Sequence, residues 1–305
     1  MYFLKKSSIR AWIRASRPAA NVNLVFPLIF GQALALKGVG QFEWKVFGLV
    51  LLYGWFAEMY IVLWNDWADR EADLLNGDYT IFSGGSRVLP DGLISAQALL
   101  VAGWVNFALV LSVAGVFWWG LGRVYMPVLA LAGLALLWLY SMPPVRLNYR
   151  GGGEMLQGLG CGVLLPVTGY YAQARGVVGL PWHLLLPLFC FYFINSVATS
   201  LPDRRGDSLA GKNTLAVVLG AKRAGGIAVL VGLAGVLAAG FGAAGLAGIV
   251  LWLGVVVPAG LLIGCAAVLP RLESGGKYMV FFIVNIILVG MSYSIGFSLA
   301  YFLAW

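Results

Sequence analysis

Charge is what this chain has least of. Asp, Glu, Lys and Arg make up 10% of its 305 residues, where an ordinary soluble domain carries about 25%. There is one histidine, His183, and there are three cysteines, Cys161, Cys190 and Cys265. A single imidazole excludes a centre built from several histidines. The cysteines fall in apolar stretches without paired spacing, which excludes a zinc site and a disulfide framework and leaves small buried apolar residues. No soluble linker interrupts the chain, so residues 1–305 are expected to form a single domain. What is plentiful is apolar: 61% of the residues are hydrophobic and the mean hydropathy is +0.89. That is the composition of an all-α integral membrane protein.

Apolar windows of about 20 residues predict nine transmembrane helices, near 20–36, 47–64, 97–118, 124–141, 154–172, 181–201, 223–241, 246–269 and 279–303. No charge occurs from Ala224 to Pro270, and that run is divided at AGFGAAGLAG (239–248). The basic N-terminus followed by GQALALKG has the outline of a signal peptide. Its five basic residues spread over seventeen positions are long for an n-region, so a retained first helix is expected. With nine spans, the N-terminus and alternate loops share one side. Of the 20 Lys and Arg, only Lys37, Lys45, Arg123 and Arg175 fall on the other. The positive-inside rule then puts the N-terminus in the cytoplasm of a multi-pass inner-membrane protein. The net charge of +8 is thus a topology signal, and no nucleic-acid partner is expected.

The 12 acidic residues are concentrated. Asp66, Asp69, Glu71, Asp73, Asp78 and Asp91 follow the second span, and Asp203 and Asp207 follow the sixth. In NDWADREAD (65–73), Asn65, Asp69 and Asp73 recur every four residues and line one face if the helix continues past the membrane surface. Asp203 and Asp207 repeat that spacing. Carboxylates one turn apart hold a hard cation such as Mg²⁺ together with water and substrate phosphate. Two such sets facing each other can clamp ions around a diphosphate. Basic residues are interleaved with them. Arg87 lies in the Gly/Ser-rich FSGGSRVLPDGLIS (82–95), whose backbone N–H groups suit phosphate oxygens. Arg146 and Arg150 follow the double proline of YSMPPVRLNYR (140–150), and Arg204, Arg205 and Lys212 lie in DRRGDSLAGKNT (203–214). Each alone also fits simple topology; together with the acids they point to a metal–diphosphate site at the cytoplasmic face.

Glu58 lies inside the second span, seven residues before Asn65. It shares the face of Asn65 and Asp69, about 10 Å deeper. An intramembrane carboxylate is costly and faces a cavity or a partner. It either lines a pocket and orients a ligand, or is protonated and bonded to a neighbouring helix. Asn195 and Thr199, eight and four residues before Asp203, are expected on the opposite wall. Asn21, Asn23 and Asn285 fit either that role or interhelical hydrogen bonds. His183 opens the sixth span on the outer side as an interfacial residue.

These residues resemble the motifs of the UbiA-type intramembrane prenyltransferases. The family's N-x-x-x-D-x-x-x-D is present as Asn65, Asp69 and Asp73. Its D-x-x-x-D is present as Asp203 and Asp207, followed by Gly211, Lys212, Asn213, Thr214 and Leu215. The Y-S-x-P-P-x-R-L segment (140–147) and an Arg-Pro before the first span (Arg17, Pro18) also match. The resemblance covers the whole chain. It implies nine helices around a central cavity, capped by cytoplasmic loops that carry the two Asp motifs. SGGSRVLPDGLIS is most similar to the menaquinone-pathway branch, which prenylates 1,4-dihydroxy-2-naphthoate. One departure is Asn148, where relatives often have Lys; Arg150 is its expected substitute.

The resemblance implies a catalytic set of Asn65, Asp69, Asp73, Asp203 and Asp207, the four aspartates holding Mg²⁺ on a prenyl diphosphate with Asp66 as helper. Arg87, Arg146 and Lys212 would contact its oxygens. Tyr140, Tyr149 or Trp67 would face the allylic cation, and an aromatic acceptor would attack it. Two alternatives remain open at the level of sequence. One is the same fold acting on another acceptor, such as 4-hydroxybenzoate, or as a terpene cyclase. The other is a divalent-cation or lipid-phosphate transporter.

Overall fold

The structure, a computed structural model, describes residues 8–75, 85–243, 248–274 and 276–304, with the side chains of all but 19–23 and 274. Lys5, Lys6, Asp78, residues 82–84 of the glycine-rich loop, and the side chains of Asn21 and Asn23 lie outside the described residues. Among those described, every regular element is helical.

Prolines and small polar caps set the helix starts. Helix α1 (Ile9–Ala15) is capped by Ser8, whose Oγ accepts the Ala11 N–H at 3.2 Å. Helix α2 (Pro18–Val39) opens on proline, where no N–H is missed. It ends at Gly40 with φ 65°, a left-handed cap that glycine adopts without strain. Then follow α3 (Trp44–Ala68), α4 (Arg70–Leu75), α5 (Ala96–Gly115), α6 (Met126–Ser141), α7 (Leu147–Arg150), α8 (Gly153–Leu159), α9 (Leu165–Ala174), α10 (Leu185–Ser200), α11 (Arg204–Leu209), α12 (Leu215–Gly242), α13 (Gly248–Leu251), α14 (Val257–Val268) and α15 (Gly276–Leu303).

Two π-helical turns, Gly160–Leu164 and Trp252–Val256, join α8 to α9 and α13 to α14. Each stands two residues before a proline, Pro166 or Pro258. A proline inside a helix lacks its N–H and crowds the carbonyl four residues back, and a widened turn accommodates both.

Among the described residues six helices are long and apolar enough to cross a membrane: Trp44–Ala68, Ala96–Gly120, Trp182–Ser200, Leu215–Gly242, Gly248–Glu273 and Gly276–Leu303. Leu24–Val39 and Met126–Ser141 are apolar but shorter. The expected span 154–172 is α8 and α9 with a π turn between them. The expected division of the long uncharged run near 239–248 matches the end of α12 and the start of α13. The chain is an integral membrane protein.

Successive helices pack in a ring. Helix α2 meets α3, α3 meets α5, α5 meets α6, α8 meets α10, α10 meets α12, α12 meets α14, and α15 closes back onto α2. Helices α2 and α9 approach backbone to backbone. An added Cβ at Gly31 would lie 2.0 Å from the Pro166 carbonyl oxygen, and one at Gly169 would lie 2.4 Å from that of Leu28. Where lipid removes the hydrophobic drive between helices, small residues let backbones touch. At the end of the ring away from the Asp motifs, Arg123 is 1% exposed. It donates to Glu43 at 2.5 Å and to the Ala172 carbonyl at 3.0 Å, so a buried charge is paired and satisfied.

Candidate active site

Three chain reversals at one end of the ring supply the polar residues. The first is the end of α3. Asp69 caps that helix, its N–H bonding the Asn65 carbonyl at 2.9 Å. The helix does not run unbroken to Asp73, as the spacing suggests, because α4 is a separate element. The register survives nonetheless, since the Asp73 N–H bonds the Asp69 carbonyl at 2.8 Å. The second reversal repeats it, with the Asp207 N–H on the Asp203 carbonyl at 2.8 Å. Helix α11 then ends in a Schellman turn. Gly211 takes φ 75°, the Lys212 N–H returns to the Asp207 carbonyl at 2.9 Å and the Gly211 N–H to that of Ser208 at 3.1 Å. That turn folds Lys212 back over its own helix.

Lys212 joins the two motifs. Its ammonium lies 3.1 Å from Asp69 Oδ2 and 3.0 Å from Asp207 Oδ1, and all three side chains are buried. The third reversal, between α6 and α7, adds Tyr149, whose hydroxyl donates to Asp69 Oδ1 at 3.1 Å. The Arg146 guanidinium stacks 3.8 Å from the Tyr149 ring centre. Ser141 donates to Asn65 Oδ1 at 3.0 Å.

A second cluster adjoins the first. The Asp66 carboxylate accepts from Arg17 and from the Ser86 hydroxyl, and from the Ser86 N–H at 3.3 Å. Gly85, at φ 67°, is pressed between Asp73 and Arg17. A Cβ there would stand 2.3 Å from Asp73 Oδ2 and 3.1 Å from Arg17 Nη2. Arg87 donates to the Asp73 carbonyl oxygen at 2.7 Å. Arg17, Arg87 and Arg146 hold φ of 43°, 62° and 43°, a left-handed backbone uncommon outside glycine that concentrates at functional sites.

The electrostatics follow from burial. The Asp73 carboxyl is pushed up to about 7, first by burial and then by Asp66 and Asp69, with Arg17 and Lys212 opposing. Burial also raises Asp207, although Lys212 pulls it down. Burial acts to lower Lys212, but Asp69 and Asp207 outweigh it and hold the ammonium above its ordinary value.

Behind these groups a cavity of about 1010 Å³ runs into the ring. Arg14, Arg17, Asn65, Ser86 and Arg87 line its polar end, and residues such as Tyr53, Leu134, Leu164 and Met291 line its apolar body. Tyr140, Glu58, Asn195 and Thr199 also line it. Other expectations are not met. Arg150 is exposed and donates to the Pro144 carbonyl at 2.8 Å rather than to the cluster, because Gly151 caps α7 immediately after it. Trp67 packs under Arg70, 4.8 Å from its guanidinium, and is not a cavity residue. Asn285 bonds its own helix, at the Phe281 carbonyl. His183, by contrast, is exposed in the turn that opens the sixth expected span, in keeping with its reading there.

Arg17, Ser86, Ser141 and Gly85 were not assigned roles from the sequence. For Arg17 the available signal was an Arg-Pro pair ahead of the first apolar run. For Ser141 it was the Y-S-x-P-P-x-R-L segment, and for Gly85 and Ser86 the Gly/Ser-rich loop.

The donor set suits a hard divalent ion, since it consists of carboxylate oxygens, with Asp73 raised first by burial and further by Asp66 and Asp69. Among the described residues no three acidic, His or Cys side chains are gathered in ligating geometry. Lys212 stands between Asp69 and Asp207, where a cation would bridge them.

The chain is 28% identical over 228 residues to 2-carboxy-1,4-naphthoquinone phytyltransferase of Synechocystis sp., covering 70% of this chain and 67% of that one. It is 26% identical over 226 residues to the chloroplastic chlorophyll synthase of Avena sativa, covering 67% and 54%. The chain thus spans about half the length of that relative. The structure superposes on a UbiA homolog from Archaeoglobus fulgidus bound to GPP and Mg²⁺ with a TM-score of 0.63, at 17% identity and over 94% and 99% of the two chains. The model of the UbiA prenyltransferase family matches residues 24–287, and the chain belongs to that family.

Proposed function

We propose that this protein transfers a prenyl group from a prenyl diphosphate to an aromatic acceptor within the membrane. The observation that carries this reading is Lys212 between Asp69 and Asp207, which joins the two Asp motifs one helical turn from Asn65 at the polar end of a large apolar cavity. A charged head and a greasy tail need those two environments side by side. In this reading nine helices span the inner membrane, counting α2, α6 and α8–α9, with the N-terminus and the Asp motifs at the cytoplasmic face.

Asp69, Asp73, Asp203 and Asp207 hold Mg²⁺, with Asp66 beside them. The ion's contribution is to neutralise charge on the departing diphosphate; the ligand in the Archaeoglobus fulgidus structure supports it. Lys212, Arg146 and Arg87 bind the diphosphate oxygens, and Asn65 is held at the mouth by Ser141. These donors meet negative charge as it develops on the leaving group. The Tyr140 and Tyr149 rings stabilise the allylic cation. The acceptor's ring carbon forms the new C–C bond and loses a proton, or CO₂ from a carboxylated carbon. The acceptor we favour is 1,4-dihydroxy-2-naphthoate, supported by the 83–95 segment and by similarity to the phytyltransferase.

Purified protein incubated with Mg²⁺, a labelled prenyl diphosphate and a panel of aromatic acceptors tests this. Mg²⁺-dependent transfer to the dihydroxynaphthoate, abolished by chelator and by Asp69→Ala, is the expected result. Transfer to a different acceptor would remove the naphthoate assignment alone. Pyrophosphate release with every acceptor omitted would replace transfer by cyclisation or hydrolysis.

A further inference from the structure

Below the carboxylate cluster the cavity wall holds two buried oxygens that none of the described residues satisfies. Glu58, on α3, is 3% exposed and its Oε2 has no hydrogen-bond partner. Asn195, on α10, is 3% exposed and its Oδ1 has none. Both side chains line the cavity. An unmade hydrogen bond at a buried acceptor costs about 1–3 kcal/mol, and more for a charge, so such groups in a native fold call for an explanation outside it. Two hydroxyls that line the same cavity are already committed elsewhere. Tyr60 donates to the Leu134 carbonyl at 3.4 Å and Thr199 to the Asn195 carbonyl at 3.0 Å, so both protons are committed.

The two oxygens define what they can take. With Glu58 ionised both are acceptors, so the missing group is a donor. A prenyl chain has no donor. A diphosphate or carboxylate has only acceptors and is repelled by Glu58. Position agrees: Glu58 lies about 10 Å along α3 from Asn65, beneath the level at which the diphosphate would sit. The donor that fits is a hydroxyl on a flat apolar ring, enclosed by Tyr53, Leu134 and Met291. We propose that Glu58 and Asn195 form the subsite that receives the acceptor's hydroxyl groups and selects phenols and hydroquinones. This rests on the transfer reaction above. An acceptor carboxylate is turned by the same arrangement toward Arg14 and Arg17 at the polar end.

Binding to the full-length protein in detergent, followed by intrinsic tryptophan fluorescence under reducing conditions, separates this subsite from turnover. The probes are 1,4-dihydroxy-2-naphthoate, 4-hydroxybenzoate, their O-methyl ethers and geranyl diphosphate. Glu58→Gln keeps the side-chain volume, and Asn195→Leu removes the second oxygen. Both are expected to weaken the free hydroxy compounds at least ten-fold and to raise their KM in proportion. Geranyl diphosphate affinity stays unchanged. The methyl ethers bind the wild type as weakly as the hydroxy compounds bind Glu58→Gln. Unchanged affinity of the hydroxy compounds in Glu58→Gln overturns the subsite, as do methyl ethers that bind the wild type as tightly as the free phenols. So does equal loss for both substrates, the mark of a structural role. Should the wild type turn over no acceptor while this binding pattern holds, the transfer reading falls and the subsite stands. Normal turnover with unaltered Glu58→Gln binding sinks the subsite alone.

Discussion

Lys212 is the residue on which the two Asp motifs converge, and its replacement tests their coupling directly. Lys212→Met would leave Asp69 and Asp207 buried together without a counter-charge. Removing one partner of a buried ion pair costs about 3–5 kcal/mol. Transfer is expected to fall by about 10²-fold or more, the loss typical of a donor to developing negative charge. Mg²⁺ should raise the melting temperature of Lys212→Met more than that of the wild type, because the cation takes over the missing charge. Equal Mg²⁺ shifts in the two proteins would separate Lys212 from the ion site.

Asp73 gives a pH dependence of defined sign. Its carboxyl is pushed up to about 7 in the fold, against about 4 in an unfolded chain. Below about pH 4 both states are protonated and the contribution to stability is complete. As pH rises toward 7 the unfolded carboxyl ionises first, and that contribution is lost. Asp207 is raised in the same direction. Metal-free protein should therefore melt at progressively lower temperature between pH 4 and 7, and Asp73→Asn should flatten the trend. A thermal scan in chelator decides it. A melting temperature that climbs across that range equally in both proteins would contradict the assignment.

At the scale of elements, close contacts between helix backbones determine the shape of the cavity wall. Gly31 on α2 abuts Pro166 on α9, and Gly169 on α9 abuts Leu28 on α2. Gly31→Val should force these helices apart and destabilise the protein by about 1–3 kcal/mol, as overpacking does. Chemical denaturation in mixed micelles would measure it. An unchanged transition would mean that α2 and α9 are free to shift.

The contrast between what the sequence makes visible and what it hides is sharpest at this scale. Apolar runs placed α3, α5, α10, α12 and α15, because burial in lipid writes itself into composition. The i, i+4 spacing of Asp69 with Asp73 and of Asp203 with Asp207 was visible, because one helical turn has a fixed period. The Schellman turn that folds Lys212 over Asp207 needed only Gly211 to be read as a cap. The Arg17–Asp66 pair and the Ser141–Asn65 bond were not legible, since they join residues about 50 and 76 positions apart and have no periodic signature. The π turns at Gly160–Leu164 and Trp252–Val256 were signalled only by Pro166 and Pro258, which read as ordinary helix prolines.

At the scale of the molecule, the two ends of the ring differ in kind. One gathers Asp66, Asp69, Asp73 and Asp207 with Arg17 and Lys212 around an open mouth. At the other, Arg123 pairs with Glu43 and the Ala172 carbonyl, and Gln173 bonds Gln32 Oε1 at 3.0 Å. Basic residues follow the same division, which sets orientation in a membrane. A membrane-impermeant maleimide can read that orientation from single introduced cysteines. Ser208 is exposed on α11 at the Asp end, and Val178 is 93% exposed in the loop after α9 at the other. The native Cys161, Cys190 and Cys265 are half-buried or buried within apolar helices, and a cysteine-free background removes them from the readout. Val178→Cys should label in intact spheroplasts, and Ser208→Cys only after the membrane is inverted or permeabilised. The reverse pattern would place the Asp motifs outside the cell. Labelling of both positions in intact spheroplasts would mean that the ends of the ring do not lie on opposite faces of the bilayer. The expected pattern would put the carboxylates, and the Mg²⁺ they are proposed to hold, on the side where soluble diphosphates are made, with the apolar cavity reaching from there into the membrane.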